Sequence, residues 1–283
     1  MKTDYNVTRL ADSISWKKSR LLTLELTYPR WIHSEIMTHR SHSKNAASSR
    51  AIPVMSMVET VQDAPSLQEF VRYNEKGMQG YTEVSEEDRV YYNNQIEILR
   101  QATIQVCTNL ASRKFHKQNI NRYLEPFSWI TVIATGTGKA WKHLLSLRCH
   151  EAAEPHFQKL AKMIEEVYHD NEPEYLEQGD WHLPLCNPLS SANWEDDERL
   201  SLDDQIKCCV GRCARVSYNT HSGVRDPDKD IALHDQLIRD KHWTPTEHAA
   251  RVPFRPDFGK SAGGNFGSDW IQYRKTFSQE FTK

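Results

Sequence analysis

Across Arg20 to Pro29, Leu22, Leu24, Leu26 and Tyr28 alternate with Thr23, Glu25 and Thr27. A period of two predicts a half-buried strand, stopped by Pro29. RWIHSEIMTH follows, with Ile32 and Ile36 four apart, and predicts a short helix that delivers a serine-rich segment. Beyond Ser85 the period lengthens. Ile96, Leu99, Thr103, Val106 and Leu110 recur at helical spacing, so a long amphipathic helix is expected from about Glu86 to about Arg113. The run SWITVIATGTG is rich in β-formers, and AWKHLLSLR after it is helical in pattern. A further helix, with Phe157, Leu160, Ile164 and Val167 on one side, begins just after Pro155, a favourable first-turn residue.

The rest of the chain is less periodic. Residues 171–204 are acidic and turn-rich and read as a surface excursion, with WEDDER as a solvated face and Ser201 as the cap of the next helix. Residues 257–269, DFGKSAGGNFGSD, read as a flexible Gly-rich segment before a final WIQYRKTF. No repeat or low-complexity tract divides the sequence, so residues 1–283 are taken as a single domain.

Composition removes several function classes. A chain of 283 residues with 38% hydrophobic content, 26% charged residues and a net charge of -2 is expected to be soluble and globular. It lacks the basic excess that nucleic acid demands. No apolar run approaches the roughly 20 residues that span a bilayer. MKTDYNVTRLADSISWKK has no signal-like apolar core, and the six cysteines show no disulfide framework, so a reduced cytoplasmic setting is expected. CCVGRC lacks a second pair to close a tetrahedral site, and no metal is expected.

Three polar clusters carry the candidate chemistry. MTHRSHSKNAASSRAIP sets His39, Arg40, His42, Lys44 and Arg50 among four serines and an asparagine, with almost nothing apolar to bury. Guanidinium groups, hydroxyls and loop amides together suit an anion, although a polar loop entering solvent has the same composition. In HKQNINRYLEPF, Arg122 lies four residues before Pro126, where it either caps carbonyls or serves a ligand. In AWKHLLSLRCHEAAEPHF, His143, Leu147 and His150 share one helical face, while Leu144 and Arg148 share the next. Arg148 on so apolar a face either pairs with a carboxylate or reaches a ligand.

Resemblance distinguishes these options. Thr38 to Arg50, THRSHSKNAASSR, resembles the signature R-H-R-x-x-S-x-N-x-x-S-x-R of flavin-dependent thymidylate synthases, with His39, Arg40, Ser43, Asn45, Ser48 and Arg50 in register. NRYLEP resembles the family's A-R-x-x-L-P element at Arg122. LLSLRCHEAAEP resembles its N-F-x-x-L-R helix at Arg148. ARVSYNT (214–220) and HWTPTEHAA (242–250) are similar to its A-R-V-S and H-x-S/T-P-F-E-H elements, which precede the signature in common members and follow it here. The chain thus resembles a circular permutant, a rearrangement that compact domains with neighbouring termini tolerate.

The resemblance implies an α/β (α+β) fold: a small twisted, mainly antiparallel sheet flanked by long helices. The single domain would be catalytic. It also implies FAD, NADPH and methylenetetrahydrofolate as cofactors, conversion of dUMP to dTMP, and a homotetramer with sites between subunits. By position, His39, Arg40, Ser41, His143, Ser217 and His248 would contact FAD. Glu35, Ser48, Ser49, Arg50, Arg122 and Arg148 would bind the nucleotide, with Arg50 and Arg122 as the phosphate fork. Arg148, Ser48 and His39 are the catalytic candidates, Arg148 stabilising charge on the pyrimidine. Ser48 has no evident partner base and is read as binding rather than attacking. The sequence departs from the pattern at Thr38 (usually Arg), Glu35 (usually Gln), Ala46 (often Glu) and His143 (usually Asn). Gln272 and Arg274 in WIQYRK are expected to make good the missing groups. Alternatives are a flavin-dependent hydroxymethylase acting on dUMP or dCMP, and a non-catalytic nucleic-acid module, which the net charge disfavours.

Overall fold

The computed structural model describes residues 2–78, 80–190, 194–216, 226–254 and 264–278. The chain opens with a hairpin, β1 (Asn6–Ser15) and β2 (Arg20–Pro29), then a 3-10 turn, α1 (His33–Met37) and β3 (Ser43–Ala46). Three helices follow: α2 (Val54–Asp63), α3 (Glu86–Ser112) and α4 (Lys117–Leu124). Next come β4 (Trp129–Thr137), α5 (Gly138–Arg148) and α6 (Pro155–His169). The last part holds β5 (Glu174–Leu176), β6 (Trp181–His182), α7 (Trp194–Glu198), α8 (Leu202–Arg215), α9 (Pro227–Arg239), β7 (Ala250–Arg251) and β8 (Ile271–Gln272). The main sheet runs β3-β4-β2-β1-β5, antiparallel except where β5 joins β1; β6-β7-β8 form a small antiparallel sheet.

The predicted strand spans Arg20–Pro29 as expected, but it is not half-buried: from Leu21 to Pro29 every residue is buried. It is the central strand of the five, between β4 and β1, and both faces are covered. Leu22, Leu24, Leu26 and Tyr28 pack with Trp141, Phe157, Leu160 and Ile164 from α5 and α6. On the other face a second core gathers Leu10, Ile133, Leu185, Ile206 and Cys209. Threonine suits that face because the register sets hydroxyls opposite one another: Thr23 to Thr135 at 2.7 Å and Thr27 to Thr131 at 3.1 Å.

The long helix α3 matches its expected span, and Ser85 caps it by accepting from the Asp88 amide at 3.1 Å. Its buried face is turned from the expected one. Arg100, Ile104 and Cys107 are buried, Ile96 and Leu110 pack against the α2–α4 core, and Leu99 and Val106 are exposed. Arg100 decides the rotation by donating to the carbonyls of Val61 and Gln62 at the end of α2, where a cation meets the helix dipole.

Two expected surface segments are corrected. Residues 171–204 supply β5 and β6 and bury Leu183, Leu185 and Cys186. Within WEDDER, Asp197 is 1% exposed and bonds both Nη atoms of Arg212, at 2.6 and 2.7 Å. Arg212 also reaches Asp230 through Nε at 2.8 Å, and α8 and α9 touch so closely that a Cβ at Gly211 would stand 2.4 Å from the Asp230 carbonyl oxygen. Ser201 caps α8 as predicted. Of the Gly-rich segment, 257–263 lie outside the described residues; 264–269 form turns with Phe266 buried. All six cysteines are free, and no helix among the described residues is long and apolar enough to cross a membrane.

Candidate functional site

The register of β3 on β4 pairs Ser43 with Thr135, two residues before Thr137 caps α5. The serine-rich segment therefore enters the sheet beside the strand that launches α5, and residues 38–42 lie along that helix. Three hydrogen bonds hold the entry. Ser43 Oγ accepts from Gln272 at 2.9 Å and from Asn265 at 3.0 Å, and Asn45 Nδ2 donates to the Cys213 carbonyl at 2.6 Å. Ser43 and Asn45, matched in the signature, thus anchor the segment to the C-terminal part of the chain.

A cleft of about 290 Å³ results, walled by His39, Arg40, Ser41 and His42 on one side and His143 and Arg148 on the other. Arg148 Nε donates to His39 Nε2 at 3.0 Å, which leaves the His39 proton on Nδ1. Both side chains rest on Phe157: the guanidinium lies 4.6 Å from its ring centre, and the imidazole meets it edge-on at 5.6 Å. Burial, then Arg148, Lys44 and His143, lower the His39 pKa to about 4. Lys44 donates to the carbonyls of His39 and His42, and burial brings its own pKa down to about 8.

His42 is a member of this site that sequence reading noted only as a charge. It is 5% exposed, its pKa falls to about 3 by burial, and neither ring nitrogen has a hydrogen-bond partner. Its ring meets Trp141 edge-on at 4.4 Å. The ring also fills the space of a side chain at Gly136, where a Cβ would stand 2.4 Å from His42 Cδ2. A glycine inside a strand weakens it, and here its absent side chain seats an imidazole. The signal was the glycine in ATGTG. Phe157, read as core, was likewise missed as the floor of the site.

Arg148 also walls a second cleft, of about 570 Å³, with Glu35, Phe70, Arg72, Tyr73 and Glu154. Glu35 accepts from Arg148 Nη1 at 3.4 Å, so Arg148, and not Arg274, balances its charge. Arg274 instead pairs with Glu247, while Gln272 does join the signature segment through Ser43. Burial, with Glu154 nearby, raises the Glu35 pKa despite Arg148.

The expected phosphate residues form a separate group. Ser49 is buried and donates to Glu125 Oε1 at 2.5 Å, and Arg122 reaches the same oxygen at 3.0 Å. Arg50 is exposed; Ser48 is half-buried, and its carbonyl accepts from the Ala51 amide at 3.0 Å. None of these has a described hydrogen bond to His39 or Arg148. His248 is fully buried behind the sheet, bonded through Nδ1 to Thr135 at 2.8 Å, and does not wall either cleft. Its burial sets it apart from both clefts of this subunit. Ser217 lies outside the described residues.

Chemically, the smaller cleft offers neutral imidazoles, a hydroxyl and two guanidinium groups. That donor set fits part of a polar aromatic cofactor bearing negative charge, and the orphaned nitrogens of His42 fit a ligand that completes its hydrogen bonding.

No family model matches the chain, and no curated protein matches it by sequence. Solved structures do match. A UMP/dUMP methylase, PolB from Streptomyces cacaoi, bound with 5-Br UMP, superposes with a TM-score of 0.50 at 15% identity, over 59% of this chain and 89% of that one. The same methylase bound with 5-Br dUMP gives 0.49 at 14% identity, over 59% and 91%. The chain is a mixed α/β protein with the fold of this methylase.

Proposed function

We propose that the chain is a flavin-dependent enzyme that adds a one-carbon unit to a pyrimidine deoxynucleotide, as a thymidylate synthase making dTMP from dUMP with methylenetetrahydrofolate, FAD and NADPH. One observation carries the reading. His39, Arg40, Ser41, His143 and Arg148, selected by resemblance from two segments about a hundred residues apart, wall one cleft. The fold shared with a UMP/dUMP methylase that was solved with 5-Br UMP supports it.

Within this reading His39, Arg40, Ser41 and His143 would hold part of FAD at the smaller cleft, and the bound flavin would supply reducing equivalents. Arg40 and Ser41 would meet its anionic part, and His143 with the uncharged rings of His39 and His42 would line the site. Arg148, held by His39 and Phe157, presents its guanidinium where negative charge develops on the pyrimidine. Arg50 and Arg122 hold the phosphate, for which Glu125 must yield the hydrogen bonds of Ser49 and Arg122. Assembly into a homotetramer fits the apolar side chains of Tyr91, Ile98, Leu99 and Val106 exposed on α3.

The substitution of Glu35 for glutamine, now seen beside Arg148, favours a second reading within the same chemistry, a hydroxymethylase of dUMP or dCMP. Product mass separates the two. Protein with bound flavin, given NADPH, methylenetetrahydrofolate and either nucleotide, is expected to yield a methyl gain on dUMP. A hydroxymethyl gain selects the second reading, and no flavin and no product defeats both.

A further inference from the structure

In the larger cleft an unused acceptor stands beside an unused donor. Arg148 commits Nε to His39 and Nη1 to Glu35, and its Nη2 has no hydrogen-bond partner among the described residues. Glu35 receives Arg148 on Oε2 alone, leaving Oε1 without a partner. The other carboxylate of the cleft is occupied: Glu154 caps α6 through the Phe157 amide at 2.7 Å and holds His156 Nδ1 at 2.8 Å. Arg72 is tied to the Gly80 carbonyl at 2.7 Å. Phe70 and Tyr73 leave aromatic surface on the same cleft, 37% and 41% exposed. A space of about 570 Å³ admits a ligand of nucleotide size.

The two free groups have opposite hydrogen-bonding character. A carboxylate only accepts, and a guanidinium only donates. Their complement is a planar ring that carries an amino donor and, on the same edge, a nitrogen or carbonyl acceptor. Resting on the function proposed above, we propose that Glu35 and Arg148 together read an aminopyrimidine edge, Glu35 accepting from the exocyclic amino group and Arg148 donating to the adjoining acceptor. Two ligands of that reaction carry such an edge: the cytosine of dCMP and the pterin ring of a folate. Uracil does not suit it, because its single ring N–H is flanked by two carbonyl oxygens that repel a carboxylate. Phe70 and Tyr73 supply the faces on which such a ring stacks.

Glu35→Gln keeps the side chain's shape and gives it a donor. Because Glu35 lies at the cleft wall rather than in a core, the variant is expected to fold; its thermal midpoint is the control. Calorimetric titration of wild type and variant with dCMP, dUMP and tetrahydrofolate tests the proposal. If the edge is cytosine, wild type prefers dCMP and the variant lowers the dCMP-to-dUMP affinity ratio at least tenfold. If the edge is pterin, the variant loses about tenfold in tetrahydrofolate affinity and the nucleotide ratio is unchanged. A variant that alters neither overturns the proposal, and product formation by wild type would leave the proposed reaction standing. A wild type that binds none of the three overturns both.

Discussion

Arg148 and His39, 109 residues apart, are joined by a 3.0 Å hydrogen bond in which guanidinium Nε donates to imidazole Nε2. One contact fixes two things, the orientation of the fork that also reaches Glu35 and the tautomer of His39. Lysine cannot reproduce it, having neither the planar fork nor the reach to two partners at once. Arg148→Ala and Arg148→Lys are both expected to lower turnover of the nucleotide by about 100-fold or more, the usual cost of losing a donor aimed at developing charge. Since Arg148 is one cause of the low His39 pKa, the alanine variant is also expected to raise that pKa from about 4 towards its ordinary value, read by NMR of the imidazole. An unchanged His39 titration would sever the link.

Gly136 and His42 make a second pair that is testable by a cycle. The methyl group of Gly136→Ala would meet His42 Cδ2 at 2.4 Å, and the methyl is backed by a central strand that cannot move away. Expulsion of the ring is expected to cost about 1–3 kcal/mol, as in other overpacked cores, and to weaken FAD binding. His42→Ala on the same chain opens the space, so the double variant is expected to regain stability but not FAD affinity. Chemical denaturation and flavin titration on the four proteins check both halves.

The elements legible in the sequence are those in which one period runs unbroken. Arg20–Pro29 and α6 bury or half-bury the residues their spacing selected, whereas α5 buries Trp141, Leu144 and Leu145 and leaves His143 and Leu147 exposed, with His150 exposed just beyond its end. β1 was not legible: a register shift between Arg9 and Ala11 breaks its alternation, and it buries Asp12, Ser13 and Ser15. β3, with the sequence SKNA, is a strand only because β4 pairs with it. α2 and α9 were passed over as well. At the site, resemblance selected Arg148, His39 and Arg40 correctly as neighbours, because motif residues carry their own chemistry. It could not select Phe157 or Gly136, whose roles are to support and to make room.

Asp197 was hidden for a related reason. Nothing in WEDDER distinguishes it from its exposed neighbours until the fold brings Arg212 to it, 15 residues on. Burial opposes the charge on Arg212, but the hydrogen bonds it donates to Asp197 and Asp230 raise its pKa, so the guanidinium stays ionised inside the protein. Asp197→Ala would leave that buried charge half-compensated and is expected to cost about 3–5 kcal/mol. Asp196→Ala, two-thirds exposed one residue earlier, is expected to cost less than about 0.5 kcal/mol. Urea midpoints of the two variants decide between a structural ion pair and a solvated acidic run.

The buried histidines make stability depend on pH in a definite direction. His182 and His248, which flank the Thr23–Thr135 hydroxyl pair, have pKa values lowered by burial to about 3. The unfolded chain binds their protons near pH 6.5 and the folded chain does not. Stability is therefore complete above about pH 6.5 and falls as pH drops towards 3. At pH 5.5, one unit below the ordinary value, each such histidine removes roughly 1.4 kcal/mol. His248→Asn keeps a donor towards Thr135 and cannot titrate. It is expected to lower stability at pH 7.5 by about 1–3 kcal/mol, and to flatten the slope between pH 6.5 and 5 by nearly one proton. Denaturation midpoints measured across that window check this, before most carboxylates titrate. A variant slope equal to that of wild type would mean that His248 is protonated in the folded chain, and the burial argument would fail at that residue.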